Sequence, residues 1–445
     1  MTTPTQKKIP FATALRDTLP SYNWDTFRHD LTAGFIVSLI ALPLSMALSI
    51  AVGLPPQNGL YTAIVAGIAG ALFGGSPTQV SGPTAAFVVI IAPIVTDLGL
   101  QGLIWCQLLA GLFLILLGVL HLGRFIHHIP HAVVTGFTTG IAVTIALLAL
   151  NDFLGLGIKD LHGHFIEKVI TLLHNADHFQ FSSFAVGGVT LATLFLFPRI
   201  TQRLPSPIIA VVLGALLAWA FTKGGVSVET LATRFSFTAP DGSVHGGVPP
   251  YPPVFHWPGS PDSAFGTLSY DKLKNLLGPA LLIAALAALE SLLSARIADK
   301  MAHTHHDPDS ELTGIGLANI FSASVLGIPA TGAIARTATN IHSGGKTPVA
   351  AILHALFVLV YIVTLAPIIS HIPMAALAAL LLATAYRMSH LHEFVAILKT
   401  APRDEILVMV VCFLLTVFID MVVGVSAGIA LSVMIFAAQK RAGTT

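Results

Sequence analysis

The chain has 445 residues, of which 54% are hydrophobic and only 10% are charged, and its formal net charge is +1. Soluble domains carry about 25% charged residues, so this composition excludes an ordinary globular enzyme and indicates a polytopic membrane protein. A net charge this close to zero argues against nucleic acid as a partner. The two cysteines, Cys106 and Cys412, lie in apolar runs and are expected to be small core residues.

Fourteen apolar segments are candidates for membrane spans. A spanning helix needs about 20 apolar residues, although helices that break at mid-membrane can be shorter. In chain order the segments cover 30–52, 59–74, 80–96, 100–121, 131–150, 184–198, 207–221, 276–298, 312–326, 330–341, 349–369, 373–386, 405–420 and 423–438. We therefore predict an all-α polytopic membrane fold, with a transporter domain over 30–438 between a polar segment over 1–29 and a short tail over 439–445.

The basic residues are distributed as an even number of spans requires. With both termini in the cytoplasm, most of the 22 Lys and Arg residues fall in inside loops and tails, in agreement with the positive-inside rule. Two longer polar segments, about 151–183 and 222–275, are then assigned to the outside. The second is rich in Gly and Pro and is expected to be an ordered loop, not a separate domain.

Two short segments look like counterparts of each other, namely 80–93 (VSGPTAAFVVIIAP) and 327–341 (GIPATGAIARTATNI). Each begins with an X-Pro step, continues with Thr and Ala, and is too short to cross about 30 Å at a rise of 1.5 Å per residue. Because they are the third and tenth of the fourteen segments, they predict a seven-plus-seven inverted repeat with a half-helix in each.

Half-helices that begin at mid-membrane would point their N-terminal N–H groups at one another and attract an anion. The expected contributors are the small residues Gly82, Ala85, Ala330 and Gly332, the hydroxyl groups of Thr84 and Thr331, and the charge of Arg336. Small residues can also serve tight helix packing alone. The full positive charge of Arg336, one to two turns into the second half-helix, favours an anion site.

Glu290 is an acid stranded near the middle of the predicted span 276–298. A charge in hydrocarbon costs several kcal/mol, so such residues usually face a cavity and serve transport. Ser294, one helical turn later, shares the same face. We predict that Glu290 and Ser294 couple transport to protons; the alternative is a structural ion pair between Glu290 and Arg336.

Three other motifs are interpreted as structural. Gly424–Gly428 matches GxSxG but begins an apolar span with no preceding strand. Lys346 only resembles the end of a phosphate-binding loop, and the histidines from His303 to His306 lack the spacing of metal ligands. No catalytic residues, metal or cofactor are predicted, and an intramembrane enzyme is not expected.

Several stretches resemble the sulfate permease (SulP) anion-transporter family over about residues 28–438. They include ALPLSMALSIAVGLPPQNGLYTA, SGPTAAFVV, ESLLSARIAD, ELTGIGLANI and PATGAIARTATN. ALPLSMAL, QNGLYTA and SGPTAAFVVI are most similar to the branch of bacterial members that import C4-dicarboxylates. The resemblance implies residence in the bacterial cytoplasmic membrane.

The resemblance also implies how the chain is divided and where the substrate binds. A mobile core (about 30–121 and 276–369) would move as an elevator against a gate (about 131–221 and 373–438) that forms a homodimer. The substrate would lie between spans 1, 3, 8 and 10, which adds Pro43, Ser45, Ala86, Phe87 and Ala333 to the expected site. Glu290 falls on the family's span-8 acid, where Glu is associated with proton coupling and Asp with sodium. A cytosolic STAS domain, usual in this family, is expected to be absent.

The leading hypothesis is therefore import of a C4-dicarboxylate, such as succinate or fumarate, by proton symport, with the lipid bilayer as the surroundings. A sulfate or bicarbonate transporter on the same scaffold, coupled to protons or sodium, is the nearest alternative. An uncoupled anion channel and a nucleobase symporter are further alternatives. Arg336 favours an anion over a nucleobase.

Overall fold

The computed structural model describes residues 11–124, 131–158, 161, 163–201, 204–257, 270–419 and 421–441. Parts of the predicted N-terminal segment and C-terminal tail therefore lie outside the described residues. The helices are α1 (Thr13–Thr18), α2 (Trp24–Ala51), α3 (Pro56–Phe73), α4 (Val88–Val119), α5 (His131–Leu154), α6 (Phe165–His174), α7 (Phe181–Ile200), α8 (Ser206–Lys223), α9 (Leu231–Arg234), α10 (Tyr270–Ala302), α11 (Pro308–Ser324), α12 (Ile334–His342), α13 (Pro348–Ile369), α14 (Met374–Met388), α15 (Leu391–Thr400), α16 (Arg403–Phe418) and α17 (Met421–Arg441). The strands are β1 (Ser81–Gly82), β2 (Ser236–Thr238), β3 (Val244–Gly246) and β4 (Thr331–Gly332).

The chain is a multi-pass helical membrane protein. In the described part of the chain, eight helices are long and apolar enough to cross a membrane. Each of the fourteen predicted segments coincides with a helix or with part of one. The segments 80–96 and 100–121 share α4, which is interrupted at Gly99, where φ is 66° and ψ is −175°. Glycine adopts this left-handed φ without a steric penalty, so the kink falls where the two predicted segments were separated.

Two short strand pairs accompany the helices of this all-helical membrane fold. β1 pairs with β4, and β2 pairs with β3, both in antiparallel fashion. In the first pair, Pro83 forces the preceding Gly82 out of the helical region, so the chain is extended before the helix begins. The described part of the segment 222–275 contains α9 and the β2–β3 hairpin.

Three groups of helices pack closely together. α2 lies against α3 and α13, and α4 lies against α10 and α11, whereas α5 lies against α14 and α16. Some of these approaches depend on glycine. A Cβ added at Gly111 of α4 would come within 2.7 Å of the Gly316 carbonyl oxygen of α11, and one at Gly316 would come within 2.7 Å of the Gly111 carbonyl. Paired small residues of this kind let two helix backbones touch, which is a common way of packing in membranes.

Candidate functional site

The two short segments meet at the β1–β4 pair. Ser81 is opposite Gly332 and Gly82 is opposite Thr331, and the Ala333 N–H donates to the Val80 carbonyl oxygen at 3.0 Å. β1 leads into a 3-10 turn, Ala85–Phe87, that continues as α4, and β4 leads into α12. The structure therefore brings the beginnings of two helices together, although they are far apart in the sequence.

Helix α12 begins later than the sequence indicated, and this changes which N–H groups are available. The Ala330 N–H donates to Asn319 Oδ1 at 2.9 Å, and the Gly332 N–H donates to Ser291 Oγ at 3.0 Å. Because α12 begins at Ile334, Arg336 lies in its first turn. The N–H groups without helical partners are those of this first turn, whereas the Ala330 and Gly332 N–H groups already have acceptors.

Glu290 contacts the first segment directly. The hydroxyl of Thr84 donates a hydrogen bond to Glu290 Oε2 at 2.8 Å. Thr84 and Glu290 are partly exposed, whereas Ser81, Gly82 and Ala85 are buried. This pair therefore occupies an accessible edge of an otherwise buried cluster.

Ser294 lies deeper on the same helix. Its hydroxyl group is 3.5 Å from Thr337 Oγ1 of α12, and Thr337 in turn accepts a hydrogen bond of 3.1 Å from the Val80 N–H. Ser294 thus connects α10 with both segments, but it does not bond to Glu290.

Arg336 is buried behind the strand pair, with only 2% of its surface exposed. Its Nη2 donates to the Pro83 carbonyl oxygen, while Nε and Nη1 have no hydrogen-bond partner among the described residues. A Cβ at Gly82 would collide with the guanidinium group, so the absence of a side chain there is what lets Arg336 approach. Within the described part of the chain, no ion pair joins Arg336 to Glu290, and the alternative of a structural pair between them is not observed.

The remaining expected site residues are buried in their own elements. Ala85, Ala86 and Phe87 form the 3-10 turn, and Thr331 Oγ1 donates to the Gly332 carbonyl oxygen at 3.1 Å. Pro43 and Ser45 lie in α2. The Ser45 carbonyl packs against Gly59 of α3, so this part of the Ser45 backbone belongs to the contact between α2 and α3.

A buried acid that the sequence analysis did not single out binds the loop that leads into β1. Glu311 of α11 is 2% exposed and accepts hydrogen bonds from the Gly75 N–H at 2.9 Å, the Ser76 N–H at 3.0 Å and Gln79 Nε2 at 2.5 Å. The Gln79 side chain lies against Gly332 of β4. The available signal was a carboxylate in the small-residue run ELTGIGLANI, but acids at the start of a helix are usually exposed.

Side chains of α3 likewise bind the loop that leads into β4. Thr62 Oγ1 accepts a hydrogen bond from the Ile328 N–H at 2.7 Å, and Asn58 Nδ2 donates to the Leu326 carbonyl oxygen at 2.5 Å. Thus α11, which precedes the second segment, holds the first, while α3, which precedes the first segment, holds the second. Both segments are fixed by buried hydrogen bonds, whose loss would leave polar groups unsatisfied.

A multi-pass helical fold in which two broken segments meet beside a buried arginine and an accessible acid is typical of membrane transporters. The chain belongs to the Sulfate permease family, whose model matches residues 27–411. It is thus a member of a family of anion transporters and not an enzyme.

Individual relatives agree with this assignment. The chain is 36% identical to a Bacillus subtilis protein named "Putative sulfate transporter YvdB", over 93% of this chain and 74% of the relative. It is 28% identical to "Bicarbonate transporter BicA" of Picosynechococcus, over 90% of this chain and 69% of the relative. These names refer to sulfate and bicarbonate, so they do not support the expected nearness to the C4-dicarboxylate branch.

Two solved structures have the same fold. The transmembrane domain of a cyanobacterial bicarbonate transporter, BicA, matches with a TM-score of 0.76 and 27% identity, over 91% of this chain and 98% of that one. The structure of SLC26A9 matches with a TM-score of 0.81 over 96% of this chain and 68% of that one, and its 20% identity supports the fold alone.

Proposed function

We propose that this protein is a secondary active transporter that imports a small oxyanion, sulfate or bicarbonate, and that Arg336 supplies the charge that attracts it. The observation that carries the proposal is the burial of the Arg336 guanidinium, which has two unpaired nitrogens and no bound carboxylate among the residues that the structure describes. A buried charge without a partner is strongly unfavourable. A substrate anion would neutralise it, so the surroundings of Arg336 are suited to a negative ligand.

The helix beginnings reinforce the same preference. The first turn of α12 and the 3-10 turn at Ala85 present N–H groups that have no helical partner, and a helix N-terminus carries roughly half a positive charge. The hydroxyl group of Thr84 lies at the accessible edge of these two turns. An oxyanion with several acceptor oxygens could bind several of these donors together.

The choice of sulfate or bicarbonate rests on the names of the relatives. A C4-dicarboxylate such as succinate or fumarate is the second candidate, and it rests on the motif resemblance in ALPLSMAL, QNGLYTA and SGPTAAFVVI. The three substrates differ in length and in the separation of their charges, so competition distinguishes them directly.

The transport cycle that we propose uses Glu290 as the proton-binding group. Protonation would neutralise the carboxyl group beside Thr84 and allow the anion to enter, and loss of the proton would repel the anion and favour its release. Glu290 is suited to this role because it is partly exposed and is not paired with Arg336. Sodium in place of the proton is the alternative form of coupling.

We also propose the arrangement in which this cycle operates: fourteen spans in a seven-plus-seven inverted repeat, with both termini in the cytoplasm of a bacterium. The core would comprise about 30–121 and 276–369, and would move as an elevator against a dimeric gate of about 131–221 and 373–438. The reciprocal hydrogen bonds of Glu311 and Thr62 support the repeat, since each segment is held by the helix that precedes the other.

The test of this function is uptake into proteoliposomes with an imposed inward proton gradient. Radiolabelled sulfate, bicarbonate and succinate are supplied in turn, each in competition with the other two. We expect concentrative uptake of sulfate or bicarbonate that succinate does not inhibit. Uptake of succinate alone would favour the dicarboxylate hypothesis, and currents far above carrier turnover would indicate a channel.

A further inference from the structure

His354 of α13 is a buried polar side chain that the transport cycle above does not use. It is 0% exposed, and neither of its ring nitrogens has a hydrogen-bond partner among the described residues. A neutral imidazole has one donor and one acceptor nitrogen. Leaving both ring nitrogens without hydrogen bonds in a protein interior costs free energy, so a polar partner is expected beside this ring.

The position of α13 places His354 close to the strand pair. Ala351, one turn before His354, packs in one buried cluster with Val80. Ala355, the next residue, and the Ser81 carbonyl both flank Gly67 of α3, within 3.4 Å and 3.6 Å of a Cβ built there. His354 is therefore on the part of α13 that runs beside β1.

Arg336 is a charged group beside the same strand. Its guanidinium group lies over Gly82, the second residue of β1, and it interacts electrostatically with His354. Arg336 has unpaired N–H donors at Nε and Nη1, and His354 has an unpaired acceptor. The two side chains thus have complementary unsatisfied groups in one buried region.

Two other contacts of α13 do not involve the imidazole. The hydroxyl groups of Ser38 and Tyr361 are 3.0 Å apart and bond to each other. On the α2 side, a Cβ at Gly34 would come within 2.9 Å of the His354 backbone nitrogen, so the two helices touch through their backbones. Neither contact offers the imidazole a partner.

We propose that His354 is a positioning residue for Arg336: one buried water molecule accepts a hydrogen bond from the guanidinium group and donates one to the acceptor nitrogen of the neutral ring. This interaction would fix the orientation of the cation behind the strand pair and so set the affinity for the anion. The inference depends on the proposed function to the extent that Arg336 attracts the substrate.

The test compares His354→Gln, which keeps a hydrogen-bond acceptor, with His354→Leu, which fills similar space but has none. A hydrogen bond to a charged group is worth enough to change binding by about tenfold. We expect His354→Leu to raise the KM for the transported anion by about tenfold with little change in maximal rate, and His354→Gln to stay near the wild type. If His354 only fills space, His354→Leu will keep the wild-type KM and His354→Gln will be the poorer variant, which would overturn the proposal.

A double-mutant cycle tests the pair without any transport measurement. The thermal unfolding of detergent-solubilised wild type, His354→Leu, Arg336→Met and the double variant is compared. We expect the double variant to lose clearly less than the two single losses added together; additive losses would exclude an interaction. If His354→Leu does not fold, His354→Phe takes its place. Failure of the wild type to transport any tested anion would remove the proposed function, and the cycle would still decide whether the two residues interact.

Discussion

Thr84 and Glu290 are joined by a hydrogen bond of 2.8 Å between the hydroxyl group of the first short segment and a carboxyl oxygen of α10. Both residues are partly exposed, while the residues before and after Thr84 are buried. The acid is thus tied to the beginning of a helix that would face the anion. In the proposed cycle, a change in the protonation of Glu290 would act on Thr84 through this hydrogen bond and so couple protons to the anion.

Glu290→Gln is expected to abolish accumulation driven by a proton gradient, while anion binding or exchange survives. The amide oxygen can still accept the hydrogen bond from Thr84, but the side chain no longer takes up a proton. Uptake and counterflow of the anion in proteoliposomes, with and without a gradient, separate these two activities. Thr84→Val is the companion variant: it removes the hydrogen bond but keeps the acid, so gradient-driven uptake should be weakened without being abolished. Undiminished concentrative uptake by Glu290→Gln would refute the assignment.

Glu311→Ala is expected to destabilise the protein by about 3 kcal/mol or more, because it leaves the Gly75 and Ser76 N–H groups and the Gln79 amide without their acceptor. Thermal unfolding in detergent measures the loss. Glu311→Gln keeps one carbonyl oxygen for these donors and should lose less. Equal stability of Glu311→Ala and the wild type would mean that water replaces the carboxylate and that the approach to β1 is not held by it.

Gly82→Ala is expected to lower the affinity for the anion, because its Cβ would collide with the Arg336 guanidinium and displace it. Gly82 also has a φ of 154°, near the edge of the range that residues with a side chain rarely adopt. Gly188→Ala is the matched control, since a Cβ at Gly188 would meet nothing within 4 Å. The KM of uptake should rise in Gly82→Ala and stay unchanged in Gly188→Ala. An unchanged KM in both would mean that the position of Arg336 does not matter for binding.

The sequence was sufficient to locate the two charges and the two short segments. Glu290 and Arg336 stand out because ionised side chains are rare in long apolar runs. The beginning of α12 was misjudged because β1 and β4 are extended through a pairing between residues some 250 positions apart, as in Gly82↔Thr331. Local propensity contains no information about such a contact.

The buried residues around the site also could not be predicted from local sequence patterns. Glu311 follows Asp307 and Asp309 at the start of α11. Acidic side chains at this end of a helix interact favourably with the helix dipole and are normally exposed. Only the fold shows that Glu311 points at the loop after α3. His354 is a single histidine in an apolar helix, and its proximity to Arg336 depends on how α13 packs beside β1.

The most direct test of the central claim is the anion affinity of Arg336→Lys and Arg336→Gln compared with the wild type, measured as the KM for sulfate or bicarbonate uptake and as equilibrium binding to the purified protein. Lysine keeps the charge without the planar fork of donors, whereas glutamine removes the charge. The account predicts that affinity falls in Arg336→Lys and falls further, by more than about tenfold, in Arg336→Gln. Wild-type affinity in Arg336→Gln would contradict it, because the anion would then bind without this cation.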